Sequence, residues 1–143
     1  MNSATQAQRG LARWLLQQDI MPEDGRAVAD AAVNAWGKLS PRLANIFTIA
    51  GSHGLAKRAI FLAQRDFPAL RGAESEPGLN GLRAALADFE RAQAELVAET
   101  VLANIIALTV NFIGEELSLR AVRDVWPDAP LREENQPRQE VSP

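Results

Sequence analysis

The stretch VAETVLANIIALTVNFI, residues 97–113, decides the fold. One row of large apolar residues recurs at steps of four, four, three and four, and it consists of Val97, Val101, Ile105, Leu108 and Phe112. A second row lies on another side of the same cylinder and comprises Leu102, Ile106, Val110 and Ile113. Both rows have helical spacing. A helix that is apolar on more than one side is buried on more than one side, so we predict a central helix, over about 94–113, around which the other helices pack.

The first half of the chain carries the start and stop signals of three helices. The first helix begins at Ser3 or Thr5, because each has a glutamine three residues later, the spacing of a capping box. The second begins at Pro22-Glu23-Asp24 and ends at Ser40-Pro41, where a third helix starts. The segment Gly51–Gly54 predicts a kink or a break in that third helix, which Pro68 ends. The apolar stripes of these helices are Leu11, Trp14 and Leu15; Val28, Ala32, Ala35, Trp36 and Leu39; and Leu43, Ile46, Phe47 and Ala50.

The second half carries the central helix and a short last helix. Residues 69–79 have the composition of a loop, and Asn80 is the predicted cap of the next helix. Residues 83–113 form either one long helix or two helices joined near Ala92-Gln93-Ala94. After Gly114 a last helix runs to Trp126. We therefore predict an all-α domain over 1–126, a five- or six-helix antiparallel bundle, followed by a disordered tail over 127–143, which is rich in proline and charge.

Composition limits the classes of function. The net charge of −3 gives no sign of nucleic-acid or membrane binding, and the absence of cysteine excludes disulfides and thiolate metal sites. With His53 as the only histidine, the chain cannot form the paired Glu-x-x-His motifs of bundle di-metal sites, so we expect no metal and no cofactor. No leader segment is recognisable, and the central stretch is too short and polar for a convincing membrane span. A cytoplasmic protein is expected, and the excess of arginine over lysine, with much alanine, suggests a bacterial genome rich in GC.

His53 is the first candidate functional residue. It lies between Ser52 and Gly54, with Lys57 four positions on. A phosphoryl-accepting histidine needs an open ring, small neighbours and a nearby cation. The segment is similar to the histidine-containing motif of histidine phosphotransfer domains, although Lys57 follows after four residues rather than three and Arg58 stands where that motif has glycine. The resemblance implies phosphotransfer through His53; the alternative, which we favour, is a surface or capping histidine at a helix joint.

Asn104 and Asn111 lie seven residues apart, hence on one side of the central helix, with Thr109 nearby. If these side chains are buried, they line a small polar pocket or set the register of a helix-packed dimer, because a buried amide must find partners. The alternative, which we favour, is that this side is the solvent edge of the helix, continuous with Glu99 and Glu115.

Two further groups of residues have simple structural interpretations. Each tryptophan falls on an apolar stripe, so we expect core or core-edge packing, and any exposed one becomes a candidate interface anchor; they are Trp14, Trp36 and Trp126. A modest basic patch is interpreted as a solvated helix face, because nucleic-acid binding needs a larger excess of cations; it comprises Lys57, Arg58, Arg65 and Arg71.

The sequence contains no recognisable catalytic motif, neither a Gly-rich phosphate loop nor Gly-x-Ser-x-Gly nor His-Glu-x-x-His. We therefore predict a bacterial cytoplasmic interaction module, regulatory or sensory and not an enzyme, which acts through helix-face contacts and forms a homodimer. The predicted binding residues are Asn104, Thr109, Asn111, Trp36 and Trp126. Two alternatives stay open: phosphotransfer through His53 with Lys57, and a small-molecule sensor with an apolar pocket beside the central helix.

Overall fold

A computed structural model describes residues 4–18 and 25–130 of the chain. The described part is all-α and contains no strand, which confirms the predicted fold class. Its helices are α1 (Gln6–Gln17), α2 (Gly25–Ile46), α3 (Ile49–Ala63), α4 (Gly81–Ala85), α5 (Arg91–Ile113) and α6 (Glu115–Val125). Two short 3₁₀ turns, Pro68–Leu70 and Ala73–Ser75, connect α3 to α4. The predicted start of the second helix at Pro22 and the tail beyond residue 130 lie outside the described residues.

Helix α5 is the centre of the bundle, as its sequence predicts. Every residue from Val97 to Thr109 is buried, and the helix packs against α1, α2, α3 and α6. By length and composition α5 is the one helix of the described ranges that could cross a membrane, but 72% of that apolar segment is buried inside the fold. Burial by the surrounding helices therefore accounts for its apolar composition.

Of the two predicted starts of the first helix, Ser3 and Thr5, the structure has the one at Thr5. Thr5 is the N-cap: its side-chain oxygen accepts a hydrogen bond from the Gln8 backbone N–H, and the Gln8 side chain accepts one from the Thr5 backbone N–H. This reciprocal capping box satisfies two backbone donors that the first turn of a helix leaves free. Leu11 and Leu15 are buried as predicted, whereas Trp14 is only half-buried.

The predicted helix boundary at Ser40-Pro41 was wrong. Helix α2 continues through Pro41, which is exposed, to Ile46. Leu39 and Leu43 are both buried, so the apolar stripe keeps its helical spacing across the proline. Burial of that continuous stripe outweighs the local cost of a proline inside a helix, about 3 kcal/mol.

The predicted kink or break at Gly51–Gly54 was also wrong, because the break lies earlier. The chain leaves α2 at Phe47, and Thr48 caps α3 by accepting a hydrogen bond from the Gly51 backbone N–H at 2.9 Å. A Cβ on Gly51 would lie 3.1 Å from the Cβ of Phe47, so the missing side chain lets the cap close against the preceding residue. Helix α3 then runs unbroken through Gly54 to Ala63.

The connection between α3 and α5 contains more structure than its loop composition predicts. Asn80 makes no side-chain cap; its Oδ1 accepts a hydrogen bond from Arg83 instead. Helix α4 is only one turn long, and a Cβ on Gly81 would collide with the backbone of Ala73, so a glycine is needed where α4 meets the second 3₁₀ turn. Residues 81–113 form two helices, and their joint lies at 86–90, before the predicted joint at 92–94.

Helices α3 and α5 run antiparallel, as two contacts at different heights show. Near the start of α3, the Phe47 ring meets the Phe112 ring edge to face, with centroids 6.4 Å apart. Further along α3, the Ala59 carbonyl accepts a hydrogen bond from Asn104 Nδ2 at 3.2 Å. The C-terminal end of α5 therefore lies beside the start of α3. Gly114, with φ of +90°, then turns the chain from α5 into α6.

Candidate functional site

The exposed face of α3 borders two open clefts that contain predicted site residues. His53 is exposed at the mouth of an open cleft of about 530 Å³, which is lined by His53, Gly54, Lys57, Glu74, Ser75, Glu76, Pro77 and Gly78. A neighbouring groove of about 320 Å³, which we call the α3 groove, is lined by Gly54, Lys57, Arg58, Phe61 and Glu74. Because both share Gly54, Lys57 and Glu74, they form one continuous depression between α3 and the turn after it.

The far wall of this depression is held in place by hydrogen bonds. Gln64, the C-cap residue of α3, donates from Nε2 to the Leu70 carbonyl at 3.1 Å and also to the Glu74 carboxylate. The Ser75 hydroxyl donates to the Gly72 carbonyl at 2.7 Å. The turn that faces α3 is therefore fixed relative to the end of the helix.

The near wall combines cations with an exposed aromatic ring. Lys57 and Arg58 precede Phe61 by one turn, and Arg65 follows it by one turn, so cations flank the ring on both sides. Phe61 is 56% exposed. None of the three cations forms an ion pair within the described part of the chain, whereas Arg13, Arg83 and Arg91 each have a carboxylate partner. This arrangement can bind an acidic group and an apolar one side by side.

Arg71, the fourth residue of the predicted basic patch, lies elsewhere. It lines another open cleft of about 550 Å³ together with Arg83, Glu76 and Asn80, which meets the His53 cleft only at Glu76. Arg83 is engaged there by Asp30, with Nε 2.8 Å from Oδ1. The structure therefore brings Lys57 and Arg58 together on α3, with Arg65 just beyond the end of that helix, and places Arg71 on another cleft.

The polar residues of α5 do not share one environment. Asn104 is buried, whereas Asn111 is exposed. The Thr109 hydroxyl is buried and donates to the Ile105 carbonyl of its own helix at 2.8 Å. The favoured interpretation of this side as the solvent edge was wrong for Asn104 and for Glu99, which are both buried. It holds for Asn111 and Glu115, which are exposed.

Two of the three tryptophans lie in the core. Trp36 is buried on α2, and its ring lies against Gly78, where a Cβ would be 3.0 Å from the Trp36 Cδ1. Trp126 is buried after α6. Both are enclosed by the fold, so neither offers a free anchor on the isolated chain.

An ion pair between a buried carboxylate and a largely exposed guanidinium, which the sequence analysis did not predict, joins α1 to α5. Arg13 donates from Nε to Glu99 Oε1 at 3.2 Å and from Nη2 to Oε2 at 3.1 Å, a bidentate pair. Arg9 lies 3.9 Å from the same carboxylate and also donates to Thr100 Oγ1 at 3.5 Å. The sequence did contain one sign of this ion pair, a glutamate within an apolar segment of the central helix. Nothing in the sequence identified the two arginines, which lie more than eighty residues from that glutamate.

The C-terminal end of α5 was also predicted incorrectly. Phe112 continues the buried apolar row by spacing, yet it is 64% exposed. Ile46 and Leu117 are each 43% exposed, and Phe47 is half-buried against the Phe112 ring. We call this surface, formed by Ile46, Phe47 and residues 112–117, the Phe112 end.

The geometry of the described residues gives no metal centre, since no group of three or more His, Asp or Glu side chains is arranged to hold an ion there. A scan against protein-family models and searches of curated proteins and of solved structures each found no match for this chain.

Proposed function

We propose that this protein is a helical interaction module that associates with a second copy of itself through the Phe112 end. The observation that supports the proposal is the 64% exposure of Phe112. A large aromatic ring that is this exposed forms an apolar surface that water solvates poorly, and the exposed Ile46 directly precedes Phe47, which contacts the ring. Aromatic side chains of this kind are enriched among the residues that contribute most to binding at protein interfaces.

A second copy is the partner we propose because one chain carries both of the complementary surfaces. The exposed residues that follow Phe112 are acidic, Glu115 and Glu116. The exposed residues that precede Phe61 are basic, Lys57 and Arg58. Charges of opposite sign across an interface favour the correct partner and increase the rate of association. We further propose that the module is bacterial and cytoplasmic and has a regulatory or sensory role rather than a catalytic one, which the composition of the sequence supports.

The experiment is a measurement of molar mass by size-exclusion chromatography with light scattering over a range of concentrations. We expect the wild-type protein to be a dimer and Phe112→Ser to weaken the dimer by at least about tenfold, the loss typical of an interface anchor. Leu96→Ser is the matched control, since Leu96 lies on the same helix, is 50% exposed and is distant from the Phe112 end in sequence. A strict monomer at high micromolar concentration would overturn the proposal.

The second candidate function is phosphotransfer through His53, and one observation favours it. His53 is exposed at the mouth of a cleft, with Gly54 beside it and the unpaired Lys57 one turn further along α3. An imidazole nitrogen there can attack the phosphorus of a phosphodonor such as acetyl phosphate. The N–P bond forms, the acyl O–P bond breaks, acetate leaves, and the proton of the imidazole passes to water. The Lys57 ammonium would then lie near the new phosphoryl group.

Incubation with acetyl phosphate, read out by intact mass, tests this second candidate. We expect the wild type to gain one acid-labile phosphoryl group, His53→Gln to gain none, and Lys57→Gln to gain it more slowly. Absence of the label in the wild type would remove phosphotransfer as a function. The third prediction, a small-molecule sensor, stays a prediction; the buried amide of Asn104 is already bonded to the Ala59 carbonyl.

A further inference from the structure

We propose that the Phe112 end of one copy docks into the α3 groove of the second copy, with Phe112 and Leu117 packing against Phe61, and Glu115 and Glu116 facing Lys57 and Arg58. The inference rests on the proposed self-association and adds which two surfaces meet. Both surfaces are exposed in the single chain, and both combine large apolar side chains with charged ones. The charges are positive on the α3 groove and negative on the Phe112 end.

The α3 groove has the chemistry of a receptor for such an end. Helix α3, Ile49–Ala63, contains no acidic residue in a chain whose net charge is −3. Its Lys57 and Arg58 have no carboxylate partner within the described ranges, and Gly54 leaves open space beside them. An incoming carboxylate therefore meets cations that need not first give up an existing ion pair. Phe61, one turn further on, offers an apolar face to the side chain next to that carboxylate.

The Phe112 end has the matching pattern. Glu115 has no ion pair within the described ranges, and Glu116 has only a long contact of 3.9 Å with Arg120, in which both side chains are largely exposed. An exposed pair of this kind contributes little and is readily exchanged for another partner. Phe112 and Leu117 lie on either side of these two carboxylates in the sequence, so apolar and acidic groups project together from the turn at Gly114.

The antiparallel arrangement of α3 and α5 makes a closed pair possible. Phe112 lies beside Phe47, just before the start of α3, whereas Phe61 lies near the end of α3. The stretch of α3 from Ile49 to Phe61 alone spans roughly 18 Å at helical rise. In a pair related by a two-fold axis, each copy would insert its Phe112 end into the α3 groove of the other copy. The same contact then forms twice, which is how closed homodimers are built.

The acidic wall of the groove favours a protein partner over a lipid surface. Glu74 lies opposite the cations and is held there by Gln64. A planar anionic bilayer would have to approach this carboxylate, whereas a narrow protein end can contact Lys57 and Arg58 on one wall of the groove. Binding to anionic vesicles is therefore an outcome that would count against the inference.

The test exchanges the charges of the two surfaces. The double variant Lys57→Glu/Arg58→Glu places like charges in the contact, and so does Glu115→Lys/Glu116→Lys. We expect each double variant alone to weaken the dimer by at least about tenfold. Mixing the two should restore a heterodimer, because every contact in the mixed pair is again between opposite charges. Native mass spectrometry distinguishes this heterodimer from either homodimer, and sedimentation velocity measures its affinity.

Matched controls separate the contact from changes in net charge. Arg71→Glu/Arg123→Glu and Asp88→Lys/Asp124→Lys alter the net charge by the same amounts at exposed positions that belong to neither surface. We expect both control variants to dimerise like the wild type. Equal weakening by the controls, or failure of the mixed pair to associate, overturns the inference. If Phe112→Ser still disrupts the dimer in that case, the proposed self-association stands and only the choice of the opposing surface is wrong.

A second measurement locates the contact without relying on charge. The chain contains no cysteine, so engineered cysteines are the only thiols. We expect Phe61→Cys and Leu117→Cys proteins, mixed and oxidised gently, to form a disulfide-linked heterodimer, whereas Phe61→Cys mixed with Asp124→Cys should form much less. An equal yield from the two mixtures overturns the inference. Wild-type binding to phosphatidylglycerol vesicles that is lost in Lys57→Glu/Arg58→Glu would also overturn it and assign the groove to a membrane surface.

Discussion

The middle of α5 and its C-terminal end belong to the same apolar row but have opposite environments. Val101, Ile105 and Leu108 are buried among α1, α2 and α3. Phe112, one helical step further along that row, is largely exposed. Spacing along a helix determines which side of it an apolar residue occupies. It does not determine how far the neighbouring helices extend beside it, and here that extent decides which apolar side chains are covered.

The end of the covering layer can be located on neighbouring elements. Helix α2 ends at Ile46, and α3 begins at Ile49, so the chain reverses direction beside Phe112. Phe47, in that connection, packs edge to face with the Phe112 ring, which nevertheless stays largely exposed. The two regions of α5 should therefore differ in what they contribute: the middle to stability, and the end to association.

The largest predicted effect tests this division directly. Ile105→Ala should lower the free energy of unfolding by about 2–5 kcal/mol, because it leaves a cavity in the middle of the core. Phe112→Ala should lower it by only about 0.5–1.5 kcal/mol in the monomer, the contribution of its edge-to-face contact with Phe47, since most of that ring is already in water. Urea unfolding, monitored by circular dichroism at a concentration below that of dimer formation, measures both values.

Equal losses of stability for the two variants would contradict the difference between the middle and the end of α5. A loss of stability for Phe112→Ala as large as that for Ile105→Ala would mean that the ring is part of the monomer core. In that case a weaker dimer in Phe112→Ser could result from a destabilised monomer and would not show that Phe112 lies in an interface. An equal loss for both variants at high protein concentration alone would instead show that the dimer contributes to stability, as linkage requires.

The second prediction concerns the ion pair between Arg13 and Glu99, which joins α1 to the buried middle of α5. Arg13→Ala should lower the free energy of unfolding by about 1–3 kcal/mol, because it leaves the buried Glu99 carboxylate without its bidentate partner. Glu99→Gln should cost less, under about 1 kcal/mol, since Arg13 is 60% exposed and water can solvate it when the pair is lost. The same urea titration compares the two variants.

Arg13→Lys is the control for charge alone. A lysine keeps the positive charge but cannot form the two parallel hydrogen bonds, so its effect should fall between those of the other two variants. Equal costs for Arg13→Ala and Glu99→Gln would show that burial of the carboxylate is not what makes the pair important. The junction between α1 and α5 would then depend on the apolar contacts of Leu11 and Leu15.

Much of this fold could be predicted from local patterns. The apolar rows of residues 97–109 identified the central helix, and the Thr5–Gln8 spacing identified one true helix start. The errors came where two local signals competed. At Ser40-Pro41 the burial of a continuous apolar stripe outweighed the tendency of proline to end a helix. At Gly51–Gly54 two glycines suggested a break, but the chain breaks three residues before Gly51, where Thr48 caps α3. A cap and a breaker are similar in sequence, and only the packing around them decides which one operates.

The candidate surfaces were less predictable, for a physical reason. His53, Lys57 and Arg58 could be singled out by type and spacing, and α3 places all three on its exposed side. Their opposite wall, at Glu74, depends on the fold of a segment whose composition predicted only a loop. The Phe112 end was missed because exposure is a property of the neighbouring chain segments and is not encoded in the apolar row itself.

The smallest predicted effect separates the two asparagines of α5. Asn104→Ala should lower the free energy of unfolding by about 1 kcal/mol, because it removes the buried hydrogen bond to the Ala59 carbonyl. Asn111→Ala should change it by less than about 0.5 kcal/mol, since that side chain is exposed. Neither change should alter the dimer mass if Asn104 acts only between α3 and α5 of one chain. A dimer weakened by Asn104→Ala with unchanged stability would contradict this and make the residue part of a binding surface.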